Sequence, residues 1–137
     1  MADVGYSGTP LIKKLGIKPG FSIKIYQAPD HYFELLGPLP DNFLVQKIAD
    51  KAPSDFIHIF ATEERTLERY LKEAKTSLQK DGLVWVSWPK GTSKIPSNIN
   101  REDVRRVGLA AGLVDVKVAA VDEDWSGLKF VYRLDHR

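Results

Sequence analysis

The chain of 137 residues has no cysteine, one methionine and three scattered histidines. Disulfides, thiolate nucleophiles and thiolate metal sites are therefore excluded, and the histidine spacing offers no metal ligand set. Charge of one sign is not in excess either: twenty Lys+Arg face eighteen Asp+Glu. A net charge of +2 is too small to argue for nucleic acid or an anionic membrane. No apolar run approaches the roughly 18 residues that span a bilayer. Residues Met1–Tyr6 lack a basic stretch followed by an apolar one, so no secretory leader is expected and the cytoplasm is the expected compartment.

A further shortage is local. A strand read at Phe21–Gln27 runs into Gln27-Ala28-Pro29-Asp30, where a nucleotide-binding α/β protein needs a glycine-rich loop. Pro29 has no N–H to donate, and the side chains of Gln27 and Ala28 fill space that glycines leave open. Asp30 is placed to cap the next helix and so to occupy the amides a ligand would use.

What is present reads as one α/β domain over residues 1–137, long enough to bury about two-thirds of its unfolded surface. Residues 1–20, punctuated by Gly and Pro, form an amino-terminal wrapping segment with a helical turn at Leu11–Leu15. It is read as a strap, with a lid as the alternative. A short helix, Asp30–Leu36, follows strand one, and strands are expected at Phe43–Ile48 and Phe56–Ala61. The second is almost wholly apolar, as a central strand is, and His58 within it reads as a hydrogen-bonded core residue. Leu67, Tyr70, Leu71, Ala74 and Leu78 make one stripe and predict a helix over Glu63–Lys80, capped by Thr62 and ended by Gly82. Then come a strand at Leu83–Trp88, a polar loop to Ile99, and a helix Arg101–Ala111 capped by Asn100. A strand at Val114–Val121, a turn at Asp122–Gly127 and a strand at Leu128–Leu134 must pair antiparallel. The order predicts a three-layer sandwich with a mainly parallel Rossmann-like sheet and a carboxyl-terminal antiparallel hairpin.

Leu15-Gly16-Ile17-Lys18-Pro19-Gly20, Leu78–Val86 and Ala111-Gly112-Leu113 resemble segments of class I AdoMet-dependent methyltransferases. Gly5-Tyr6-Ser7-Gly8-Thr9-Pro10-Leu11, Trp85–Lys90, Gly108–Asp115 and Trp125–Val131 resemble the bacterial DUF3052 family, whose name stands for a domain of unknown function. The first resemblance implies a methyltransferase-type fold. The second implies a small cytoplasmic bacterial protein and no assigned activity. Asp50, just past strand two, stands where the methyltransferase resemblance puts a ribose-binding acid. A solvent-facing loop acid is the plainer reading of it.

Ligands of a parallel sheet lie beyond the carboxyl ends of its strands. That edge gives the candidates Gln27, Asp30, His31, Asp50, Ser87, Trp88, Lys90, Trp125 and Ser126. Trp88 and Trp125 with Lys90 suit a planar ligand or a peptide, or simply cap the core. Ser87 lacks a G-x-S-x-G setting and an evident histidine, so no catalytic residue is assigned. Asp122-Glu123-Asp124 reads as a solvated acidic turn rather than a cation site. Lys13, Lys14, Lys18, Lys90, Lys94 and Arg101 could make a weak nucleic-acid or phosphate patch, although isolated surface lysines are the plainer reading.

The resulting expectation is a non-enzymatic binding or regulatory module on a methyltransferase-like fold without the glycine loop. Its partner would be a small molecule or a protein at the carboxyl edge. It needs no cofactor and no metal, and neither nucleic acid nor a membrane is favoured as partner. An atypical AdoMet-dependent methyltransferase and a weak nucleic-acid-binding protein are the alternatives.

Overall fold

A computed structural model describes residues 10–136. The Gly5–Thr9 part of the wrapping segment lies outside the described residues. Six strands form one sheet in the order β2-β1-β3-β4-β6-β5. They are β1 (Ser22–Tyr26), β2 (Leu44–Gln46), β3 (Ser54–Phe60), β4 (Leu78–Pro89), β5 (Leu113–Ala120) and β6 (Trp125–Tyr132). β2, β1, β3 and β4 run parallel, while β6 is antiparallel to both β4 and β5. The expected sandwich with its closing hairpin is the observed fold.

Two apolar clusters lie on opposite faces of the sheet. One joins Ile57, Ile59, Val84, Val86 and Trp88 to the helices α3 (Glu64–Ala74) and α4 (Arg101–Ala110) through Leu67, Leu71, Val104 and Val107. The other joins Ile23, Phe56, Phe60, Trp85 and Trp125 to α1 (Leu11–Leu15) and α2 (Tyr32–Leu36). Alternation along each strand divides its side chains between these layers. α4 begins with the expected Asn100 cap, which forms a reciprocal capping box with Asp103.

Several boundaries differ from the sequence reading. α3 stops at Ala74, and Leu78 opens β4 instead of continuing the helix. Ser54 N–H donates to Ser77 O at 2.7 Å and draws the chain into the sheet ladder. Leu78 still reaches the cluster it was assigned to, but from a strand. Gly82 ends no helix. It lies in a bulge of β4, where a Cβ would stand 2.7 Å from Leu78 Cδ1. Thr62 caps nothing with its side chain, since Glu63 is the N-cap residue. Asp30 is not a cap either: His31 holds that position without a side-chain capping bond, and Tyr32 N–H donates to Pro29 O.

Candidate functional site

Chain order reverses between β1 and β3, so the crevice for a ligand should open beyond their carboxyl ends. There β1 leads into a turn whose first residue, Gln27, has φ +57°. A non-glycine residue rarely adopts this left-handed backbone. Its Nε2 donates to Tyr70 Oη at 3.0 Å, tying the turn to α3. Beneath that bond the Tyr26 and Tyr70 rings pack at 5.0 Å. Burial, with the neighbouring Glu73 carboxylate, pushes the Tyr26 hydroxyl up to about 12. Ala28 packs against the second cluster, and α2 has only five residues. The turn therefore keeps a glycine-like backbone at one residue yet fills it with side chains. It does not fit the open glycine cradle of an AdoMet site.

The end of β3 is covered as well. Thr62 O accepts from Asn98 N–H at 3.0 Å and from Ser97 Oγ–H at 3.2 Å, so the loop between β4 and α4 folds over it. That loop is pinned at its other end, where Lys90 N–H donates to Asp124 O and Ser93 Oγ–H to Asp124 Oδ1. Across the same edge, His31 Nε2 meets Asp122 Oδ2 at 3.0 Å. Asp122 is buried, and its Oδ1 accepts from the N–H groups of Asp124 and Trp125 at 2.8 Å each. The acidic turn departs from the solvated turn read from sequence only at Asp122, since Glu123 is exposed and Asp124 partly so. Its first residue is a folded Asx turn, a role that Asp at this offset often takes.

Trp88, Lys90, Trp125 and Ser126 do meet, because Trp88 pairs with Ser126 and Pro89 with Trp125. The two tryptophans nevertheless share no stacking surface. Both are buried, Trp88 in the α3–α4 layer and Trp125 in the α1–α2 layer, where it stands edge-on to Phe60 at 5.0 Å. Residues directly paired across strands share a face, so Trp88 shares one with Ser126 rather than Trp125. Lys90 is half-buried, and Gln27, Asp30 and His31 are exposed.

Ser87 belongs to the interior. It is fully buried, with Oγ 2.8 Å from His58 Nε2, and His58 Nδ1 lies 2.9 Å from Tyr32 Oη. The histidine missing from the sequence reading is therefore present, but a serine–histidine pair with no exposed surface cannot meet a substrate. Burial pulls His58 down to about 3 and pushes the Tyr32 hydroxyl up, so the relay is neutral.

Asp50 is turned to other work. Its Oδ1 accepts from Ala52 N–H at 2.8 Å, and its backbone O accepts from Lys24 Nζ at 2.6 Å. Lys24 is buried and also donates to Ser77 Oγ, just before β4. Burial lowers its pKa, with the Asp50 and Glu73 charges opposing. The contact through Ser77 ties Asp50 towards the amino ends of β3 and β4, away from a ribose position at the carboxyl edge.

Three surface cavities stand out among the described residues. One of about 400 Å³ lies between α3 and α4, lined by Leu71, Lys75, Val107 and Ala111. An open depression of about 630 Å³ separates Thr92, Lys94, Ile95 and Pro96 from Glu123 and Asp124 at the carboxyl edge. The third, about 350 Å³, sits on α4. None of the three is lined by residues 27–30. Among the described residues no group of three or more His, Asp or Glu side chains is placed to hold a metal ion. No helix there is long and apolar enough to cross a membrane.

Residues 40–134 match the model of the family described as protein of unknown function (DUF3052). The chain belongs to that family. No curated protein matches it. Its fold is similar to solved structures of methyltransferases. A SAM-dependent methyltransferase from Aquifex aeolicus superposes with TM-score 0.63 at 15% identity, covering 93% of this chain and 90% of that one. Fibrillarin from Aeropyrum pernix with natively bound S-adenosyl-L-methionine gives 0.59 at 12% identity, covering 93% and 70%. The ribosomal protein L11 methylase from Lactobacillus delbrueckii subsp. bulgaricus gives 0.56 at 13% identity, covering 90% and 75%. At such identities the likeness shows the fold.

The DUF3052 match begins at Pro40, after β1 and α2. It takes in the loop over Thr62 and the Asp122 turn, but not Gln27–Asp30. The residues that sequence reasoning missed are Tyr70, Thr62, Asn98 and Asp122. Only Asp122 had a local signal, its place two and three residues before Asp124 and Trp125.

Proposed function

We propose that this DUF3052 protein is a non-enzymatic binding or regulatory module, built on a methyltransferase-like scaffold whose cofactor turn has been filled. The turn Gln27-Ala28-Pro29 carries the reading. It is tied by side chain to Tyr70, lacks one amide at Pro29 and opens a helix of five residues. Such a turn offers neither close backbone approach nor a useful helix dipole. The loop over Thr62 and the His31–Asp122 contact support the same reading. A small molecule or protein partner would then use the depression between Thr92–Pro96 and Glu123–Asp124, beside Lys90. The reading takes the bacterial cytoplasm as its compartment.

AdoMet binding is the second reading, favoured by the similarity to structures whose names include bound S-adenosylmethionine. If it holds, Gln27 must leave Tyr70 when the ligand enters. Titration calorimetry with AdoMet and S-adenosylhomocysteine separates the two: the first reading expects no saturable heat, and saturation would support the second.

A further inference from the structure

A cross-strand pair on the hairpin carries like charges: Lys117 on β5 is directly opposite Lys129 on β6. Like charges in that relation destabilise a sheet, so the placement has a cost. More lysines gather around the pair. Lys117 Nζ donates to Lys14 O at the end of α1, 3.2 Å away, and Lys13 lies in the same last turn. Lys129 Nζ comes within 3.8 Å of where a Cβ on Gly16 would stand. Lys90 and Lys18 are near enough for their charges to act on Lys14 and Lys129 respectively. Burial first, and then these neighbouring lysines, hold both groups below the usual amine range. The one acid in the middle of β5, Asp115, is engaged with Arg105.

We propose that the lysine face formed by Lys18, Lys117 and Lys129, with Lys90 at its carboxyl-edge end, binds the phosphodiester backbone of double-stranded nucleic acid. A polyanion relieves the repulsion of the opposed Lys117–Lys129 pair, and it does so through charge without reading sequence.

Other polyanions fit less well. Single strands need exposed rings for base stacking, and β5 and β6 bring none to this face: Trp125 and Phe130 are buried, and Tyr132 packs on the opposite layer. A membrane surface needs apolar anchors, whereas the exposed Val118 pairs with Leu128, whose side chain belongs to the α3–α4 layer on the other side of the sheet. The proposal goes beyond the reading of the cofactor edge and does not depend on it.

The test is fluorescence anisotropy with a labelled mixed-sequence DNA duplex of about 20 base pairs, titrated from about 50 to 200 mM salt. Wild type should bind, with log affinity falling against log salt at a slope of about −2 to −4, as for two to four neutralised phosphates. Lys117→Glu, which turns the repelling pair into an attracting one and should keep or raise the melting temperature, should weaken binding about tenfold or more at low salt. Lys72→Glu, on α3 across the sheet, should leave affinity nearly unchanged. The proposal is overturned by absence of duplex binding at about 50 mM salt. Equal binding by Lys117→Glu, an equal loss in Lys72→Glu, or tighter binding to single-stranded DNA or anionic phosphatidylserine vesicles would each also overturn it.

Discussion

His31 Nε2 stands 3.0 Å from Asp122 Oδ2, joining residues 91 positions apart across the carboxyl edge of the sheet. The two sides of the contact differ in weight. His31 is half exposed, so its share is screened and worth less than about 1 kcal/mol. Asp122 also holds the N–H groups of Asp124 and Trp125 in a buried turn. In urea denaturation, His31→Ala should lower stability only slightly, while Asp122→Ala should cost about 1–3 kcal/mol. Asp122→Asn keeps an acceptor for the two amides and should fall between them. Equal losses for His31→Ala and Asp122→Ala would contradict this division.

The Tyr32–His58–Ser87 relay gives a pH dependence. Folded His58 titrates near 3 because it is buried, while an unfolded histidine titrates near its usual value of about 6.5. Between those values the unfolded chain binds a proton that the folded chain does not. Stability should therefore fall as pH drops below about 6.5, by up to about 1.4 kcal/mol per pH unit from this group, and the loss should continue towards pH 3. Comparing urea midpoints across this range for wild type and His58→Gln checks it: the variant should be less stable at neutral pH and should show a shallower acid slope.

Helix α4 sits against the hairpin through Gly108. A Cβ there would lie 2.1 Å from Phe130 Cε1, closer than any packing allows. Gly108→Ala should lower stability by roughly 1 kcal/mol or more, although alanine is the better helix former by about that amount. Adding Phe130→Leu should recover part of the loss, seen as a favourable coupling in a double-mutant cycle. Additive losses would show that the ring yields freely.

Gln27 holds a left-handed backbone conformation with a side chain attached. Gln27→Gly and Gln27→Ala both lose the bond to Tyr70, so comparing them isolates the backbone. Glycine should be the more stable by about 1 kcal/mol, because only alanine retains the Cβ clash of that conformation. If alanine matches or exceeds glycine, the turn relaxes without strain.

The sequence made some of this plain and concealed the rest for definite reasons. Alternation in β1, the apolar run of β3 and the Asn100 cap each act locally, so the order of elements and the closing hairpin were readable. The end of α3 was not. Leu78 satisfies the helix stripe and also packs as the first residue of β4, and the bond from Ser54 that decides between them comes from another strand. Asp30 looked like a cap by composition, yet the helix starts one residue later. The relay from Ser87 to His58 depends on the parallel alignment of β3 with β4, which neither strand encodes alone. The same holds for the tryptophans: adjacency followed from topology, but their burial on opposite faces required the register of Trp88 with Ser126 and Pro89 with Trp125.

The central claim is that Gln27-Ala28-Pro29-Asp30 is a filled turn on a methyltransferase-like scaffold. Its most direct test is calorimetric titration of the wild-type protein with AdoMet, with S-adenosylhomocysteine as the second ligand. The account expects no saturable heat and no rise in thermal stability. A ligand present at about 100 times its dissociation constant would add about 2.7 kcal/mol of stability. Saturable micromolar binding with such a rise would contradict the account.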